Sequence, residues 1–307
     1  MGTPEYAAVS LRRLVAGGHR VRAVVTRPDK PRGRGQQVEP GAVKRTAIDA
    51  GIEVLQPLSP RDETFLARLR ALDADLGVVV AYGRILPRAA LDAPRLGCIN
   101  AHASLLPKLR GAAPIERAIL AGMTETGVTI MQMNEGLDEG DIMLARATPI
   151  TNTMTGAELR DTLAGMSAEL LEEAVDALAE NPAALVRRPQ DDAAATFAPP
   201  LRKADAAIRW SEDAMVLDRR VRAFAPHPGA FAFDGKTRLK ILEARAAEHR
   251  SDAAAGSVLG ASHKGLLVAC GRGVLELIAV QPEGRRPMSA LDYERGARGA
   301  EIGRAHV

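Results

Sequence analysis

Leu96-Gly-Cys-Ile-Asn-Ala-His-Ala-Ser-Leu-Leu-Pro107 runs from an apolar stretch straight into an amide, an imidazole and a hydroxyl. Its apolar start reads as a short buried strand, with Asn100 and His102 just past its end. A second such run, Gly127-Val-Thr-Ile-Met-Gln-Met133, leads into Gly136-Leu-Asp-Glu-Gly-Asp141. In open α/β sheets, ligands bind outside the carboxyl ends of strands. Two strand ends carrying Asn, His and Asp therefore point to an α/β enzyme. An amide donor, a histidine and a carboxylate to orient it are what acyl transfer to an amine requires.

Outward from this stretch, strand-like and helix-like segments alternate. Ala7 to Ala16 has helical spacing and stops at Gly17-Gly18. Val21 to Thr26 is strand-like, Gly41 to Ala50 helical, Glu53 to Leu55 strand-like and Asp62 to Leu72 helical. Val78 to Ala81, Cys98 to Asn100 and Val128 to Met133 continue the strands. Thr155-Gly-Ala-Glu158 is a capping box that opens a long amphipathic helix to about Leu178. This alternation predicts a Rossmann-like, mostly parallel sheet with helices on both faces. Residues 182–207 are rich in Pro, Ala and charge and read as an interdomain linker. Beyond it come one helical stretch and five short strands: Ala230–Phe233, Leu239–Glu243, Gly256–Leu259, Gly265–Ala269 and Val274–Val280. Short strands with Gly and Asp turns predict a small OB-like β-barrel. The expected organisation is a catalytic domain over 1–181, the linker, a barrel over 208–300 and a non-native tail at 301–307.

A chain of 307 residues has room for two domains with separate cores. No apolar run approaches the roughly 20 residues that a membrane helix needs, so no membrane role is expected. No basic segment followed by an apolar one opens the chain, so the protein is expected in the cytoplasm. The two cysteines, Cys98 and Cys270, stand far apart in apolar settings and give neither a disulfide framework nor metal spacing. Residues 1–200 carry 23 Lys and Arg against 25 Asp and Glu, whereas 201–300 carry 17 against 12. A basic second domain suits a polyanionic partner such as nucleic acid, although Arg-rich surfaces also arise from composition alone.

A lone histidine is most often a structural one. His102 differs because strand alternation turns Asn100, His102 and Ser104 to one side. Asp138 is preferred to Asp141 as the carboxylate because it lies closer to the preceding strand end. Cys98 shares the parity of Asn100 but sits inside the apolar run, where packing is its expected role. Arg27-Pro-Asp-Lys-Pro-Arg-Gly-Arg-Gly35 is a glycine-rich basic loop in which Arg32 and Arg34 suit phosphate.

These motifs together resemble the methionyl-tRNA formyltransferases, a family of folate-dependent enzymes, from residue 2 to about residue 296. Besides the Asn, His and Asp, the resemblance rests on five stretches: Gly2-Thr-Pro-Glu-Tyr6, the basic loop, Val80-Ala-Tyr-Gly-Arg-Ile-Leu-Pro87, Ser104 to Ile115, and Gly127-Val-Thr-Ile-Met-Gln-Met133. The chain departs from the family at Ala101, Ala103 and His227, and lacks its first strand and C-terminal tail. The resemblance implies that Asn100, His102 and Asp138 are catalytic. It implies folate contacts from Tyr82, Gly83, Ile85, Ser104, Leu105, Leu106 and Pro107, and tRNA contacts from Lys30, Arg32 and Arg34. The implied co-substrate is 10-formyltetrahydrofolate, the implied partner initiator methionyl-tRNA, and no metal is required. Nothing demands more than a monomer. Alternatives are a formyltransferase acting on glycinamide ribonucleotide or an amino sugar nucleotide, a formyltetrahydrofolate hydrolase, and a non-catalytic RNA-binding protein.

Overall fold

Tyr6, Ala7, Ser10 and Leu14 recur at helical spacing and are buried, which makes Glu5–Ala16 the first helix, α1. The computed structural model describes residues 1–32, 37–249 and 251–297. After α1 come strand β1 (Val24–Val25), a hairpin of β2 (Pro31–Arg32) and β3 (Gln37–Val38), α2 (Ala42–Asp49) and β4 (Val54–Leu55). Next are α3 (Glu63–Ala71), β5 (Gly77–Val79), α4 (Arg88–Leu91) and β6 (Cys98–His102). The Asp62 carboxylate starts α3 by accepting from the Phe65 N–H at 2.8 Å. β7 (Arg110–Gly111), α5 (Pro114–Leu120), β8 (Glu125–Gln132), β9 (Ile142–Pro149), α6 (Gly156–Glu180) and β10 (Phe197–Ala198) complete the first two-thirds of the chain.

Two compact units emerge. The first comprises Met1–Pro114, Glu125–Pro149 and Arg160–Pro199; the second comprises Ile115–Thr124, Ile150–Leu159 and the chain from Pro200 on. Of the segment read as a linker, the part up to Pro199 packs within the first unit.

In the first unit, β5 and β6 are parallel, while β6–β8 and β8–β9 are antiparallel. β1 and β4 form a parallel ladder of their own. Met1 and Gly2 tie it to β5: the Gly2 N–H donates to the Val25 carbonyl at 3.0 Å, and the Val80 N–H to the Met1 carbonyl at 2.9 Å. The fold is mixed α/β with a parallel core, and the expectation of a mostly parallel sheet needs correcting on one side. There β8 and β9 are joined directly by the Met133–Asp141 turn, and so short a connection permits only antiparallel pairing. β9 was not anticipated. Val25, Val79 and Cys98 pack with Phe65, Leu66 and Leu69 of α3 and with Ala90 and Leu91 of α4. Burying each such aliphatic side chain contributes roughly 1.5–3 kcal/mol. A cavity of about 570 Å³ lies at the strands' amino ends, lined by Val21, Ala23, Leu76 and Val78 among others.

In the second unit, α7 (Ala214–Phe224) precedes β11 (Ala230–Asp234), β12 (Thr237–Ala247), β13 (Val258–Ala261), β14 (Leu266–Ala269), β15 (Val274–Pro282), β16 (Met288–Ser289) and α8 (Ala290–Ala297). The strands form one antiparallel sheet in the order β11-β12-β15-β14-β13, with β16 added against β15. Leu217 and Val221 of α7 bury against Leu239, Ile241, Leu275 and Leu277. The expected barrel is not seen closed: among the described residues no pairing joins β11 to β13. Strand spacing predicts strands but not closure, which depends on register between distant segments. Thr155 and Glu158 form the predicted capping box, the Thr155 N–H donating to the Glu158 carboxylate at 2.8 Å and the Glu158 N–H to the Thr155 hydroxyl at 3.3 Å.

Candidate active site

β6 carries Asn100 and His102 as members of the strand, not beyond it: Asn100 pairs with Met131 and His102 with Thr129. The polar residues stay in the ladder because β8 satisfies their backbone, leaving both side chains to project from one face. Asn100 is 8% exposed and His102 6%. Among the described residues no group hydrogen-bonds the Asn100 amide. Asn100 is not among the side chains whose unpartnered polar atoms are fully enclosed, so its amide is free to hydrogen-bond a ligand.

His102 has both ring nitrogens facing acceptors. Nε2 lies 2.9 Å from the Leu109 carbonyl, to which it donates, and Nδ1 lies 3.5 Å from the Asp138 carboxylate. A carbonyl oxygen only accepts, so Nε2 carries a hydrogen. Asp138 sits in the β8–β9 turn with φ of +54°, a left-handed conformation that costs a non-glycine residue roughly 1–3 kcal/mol. Its carboxylate also accepts from the Gly111 N–H at 2.9 Å. Glycine is needed at 111, since φ is +122° and an added Cβ would come within 2.8 Å of the Ala198 carbonyl.

Several groups outside the predicted set hold this geometry. The Thr129 hydroxyl donates to the Ser104 carbonyl at 2.7 Å and accepts from the Leu106 N–H at 3.1 Å. The Leu109 N–H donates to the Thr196 hydroxyl at 2.9 Å. Arg110, only 4% exposed, donates to Gln190 at 3.0 Å and to Asp192 at 2.7 Å. An arginine within the Ser104–Ile115 motif was a visible signal; Gln190 and Thr196 carried none.

The remaining predicted residues fall as follows. Ser104 is fully buried and donates to the Lys108 carbonyl at 2.6 Å, and Leu106-Pro107 is a cis peptide bond. Leu105 packs beside Gly127. The Tyr82 ring belongs to the α3–α4 cluster, with a buried hydroxyl that has no hydrogen-bond partner among the described residues and a pKa raised by burial. Gly83 has positive φ, and Ile85 is exposed. Lys30 is exposed at the entry to the β2–β3 hairpin. The Arg32 side chain and the whole of Arg34 lie outside the described residues. Burial pushes the Cys98 thiol up to about 11, which fits packing and not nucleophilic attack. Among the described residues, no group of three His, Cys, Asp or Glu side chains could hold a metal ion, and no helix is long and apolar enough to cross a membrane.

Residues 1–175 match the family model described as formyl transferase, and residues 200–298 match formyl transferase, C-terminal domain. Methionyl-tRNA formyltransferase of Moorella thermoacetica is 46% identical over 96% of this chain and 94% of its own length. The protein of that name from Stutzerimonas stutzeri is 49% identical over 97% and 93%. Among solved structures, the sugar 3N-formyl transferase WlaRD superposes with a TM-score of 0.66 at 15% identity, over 93% of this chain and 97% of that one, a likeness of fold. The chain belongs to the methionyl-tRNA formyltransferase family.

Proposed function

We infer that this protein transfers a formyl group from 10-formyltetrahydrofolate to the α-amine of methionyl initiator tRNA. The observation that carries the chemistry is the unpartnered Asn100 amide, on the strand face that also presents His102 to Asp138 at 3.5 Å. The folate supplies an activated formyl carbon for the amine. Asn100 donates a hydrogen bond to the formyl oxygen as negative charge develops there, while His102, its Nε2–H committed to the Leu109 carbonyl, faces the reacting groups through Nδ1 beside Asp138. Asp138, beside His102, accepts the proton that the amine sheds, directly or through one water; the tetrahedral adduct then collapses, its C–N10 bond breaks and the proton passes to N10 as tetrahydrofolate leaves.

Ser104, Leu105, Leu106 and Pro107, with Tyr82, Gly83 and Ile85, are assigned to the folate. Burial of Ser104 and Leu106, together with the two hydrogen bonds to Thr129, supports a rigid wall there. Lys30, Arg32 and Arg34 are assigned to the phosphates of the tRNA acceptor end. The second unit, read as OB-like from its short strands, adds weaker phosphate contacts through its excess of basic residues. The protein is proposed to act as a cytoplasmic monomer.

The test is transfer of labelled formyl from 10-formyltetrahydrofolate, with methionyl initiator tRNA present and absent. Label on the methionyl-tRNA is expected. Free formate without tRNA identifies a hydrolase instead, and label only on an amino sugar nucleotide or glycinamide ribonucleotide identifies a different acceptor.

A further inference from the structure

Gln190 lies in the stretch that reads as a linker, yet its amide reaches the turn that carries Asp138. Its Nε2 donates to the Asp138 carbonyl at 2.9 Å and to the Gly140 carbonyl at 2.7 Å. Its Oε1 accepts from Arg110 Nε at 3.0 Å, while another nitrogen of the same guanidinium binds Asp192. Next to Arg110, the Gly111 N–H holds the Asp138 carboxylate. Phe197–Ala198 pairs with Arg110–Gly111, and Arg188 and Ile142 exchange backbone hydrogen bonds, so the segment is fastened on both sides of Gln190.

Two of these contacts act on Asp138 itself. The backbone of Asp138 is held from one side by Gln190 and its carboxylate from the other by Gly111. A non-glycine residue at φ of +54° stays there only if its surroundings impose it. Both donor hydrogens of Gln190 go to the turn, and its oxygen is committed to Arg110, so the amide has a fixed orientation. We propose that Gln190 is a positioning residue: it locks the Asp138 turn and thereby sets the carboxylate against His102. Arg110 orients Gln190 in turn. The inference rests on the reading of Asp138 as the carboxylate that works with His102.

The experiment compares Gln190→Leu, Gln190→Glu, Asp138→Asn and the two double variants by steady-state formyl transfer. Gln190→Glu keeps an acceptor for Arg110 but loses the donors to the turn, so it remains informative if Gln190→Leu does not fold. Each Gln190 variant is expected to lose tenfold or more in kcat, with KM for methionyl-tRNA changed less than threefold. In the Asp138→Asn background the same substitutions are expected to cost less than threefold, because the group they position is gone. Near-full kcat in Gln190→Glu overturns the proposal. An equal loss with and without the Asp138 carboxylate also overturns it, showing a general structural role. Full activity in Asp138→Asn alone defeats the underlying reading of the site and is recognised separately.

Discussion

Thr129 holds Ser104 in place: the hydroxyl of one, on β8, donates to the carbonyl of the other at 2.7 Å while accepting from Leu106 N–H. A side chain on one strand thereby shapes the loop that leaves the neighbouring strand just after His102. Thr129→Val keeps the shape and removes both bonds. Leaving two buried backbone groups unpaired, at about 1–3 kcal/mol each, should destabilise the protein by about 2–6 kcal/mol, read as a lower denaturant midpoint. Thr129→Ser should recover most of the loss; no change in either variant would show that the loop is held by other means.

Asn100 should behave in the opposite way. Its amide makes no hydrogen bond to a described protein group, so Asn100→Ala should change the thermal midpoint little. Turnover should nevertheless fall roughly 10²–10³-fold, the usual cost of removing one donor to a developing oxyanion. A folded Asn100→Ala enzyme with near-normal kcat would remove the amide from the mechanism.

The base of the basic loop is clamped by Lys44, which contacts Asp29 and donates to Gln56 at 2.8 Å; Gln56 donates to the Arg27 carbonyl at 3.0 Å. The Lys44 contact holds the Asp29 carboxyl below its usual range. Gln56→Leu should loosen the attachment of the segment bearing Lys30, Arg32 and Arg34. KM for tRNA is expected to rise while kcat at saturating tRNA stays unchanged.

Replacing Arg32 or Arg34 by Ala should lower the slope of log affinity against log salt by about one each. An unchanged slope would take these residues off the phosphate backbone.

In the second unit, burial raises the pKa of Asp218 despite its pairing with Arg222 at 3.0 Å. The folded state therefore binds this proton more tightly than the unfolded chain does. Stability contributed by Asp218 is fully present below the unfolded value of 3.8 and is lost as pH rises through the raised folded value. The difference in stability between wild type and Asp218→Asn should accordingly shift against wild type over that window. A shift in the other direction would mean that pairing with Arg222 outweighs desolvation.

Local features were the legible ones. The shared side of Asn100 and His102 follows from alternation within one strand, and the Thr155–Glu158 capping box from spacing within one turn. The choice of Asp138 over Asp141 rested on distance from a strand end, and the structure does bring Asp138 to His102. What could not be read depends on segments far apart in the chain. Arg110 meets Gln190 across 80 positions, and a composition rich in Pro, Ala and charge hid a stretch that clasps the site. β9 escaped because only Met143 of its eight residues is buried and the run shows no sustained inside–outside alternation; its place comes from the β8 edge it covers. Barrel closure failed for the same reason: short strands say nothing about which edges meet.

The tie between β1 and β5 has a consequence for how the first unit opens. Besides Met1 and Gly2, the described residues are joined across the cavity that separates these strands by the Arg22 guanidinium, which donates to the Leu72 carbonyl at 2.9 Å. The β1–β4 ladder is thus joined to the sheet by a two-residue backbone seam and one side-chain hydrogen bond, and cooperative protection should break there first. Hydrogen exchange should show Val24, Val25 and Val54 trading their amide protons well before Ile99, Ala101 and Ile130. The wing of the sheet next to the basic loop can then breathe while the strand that bears Asn100 and His102 stays closed.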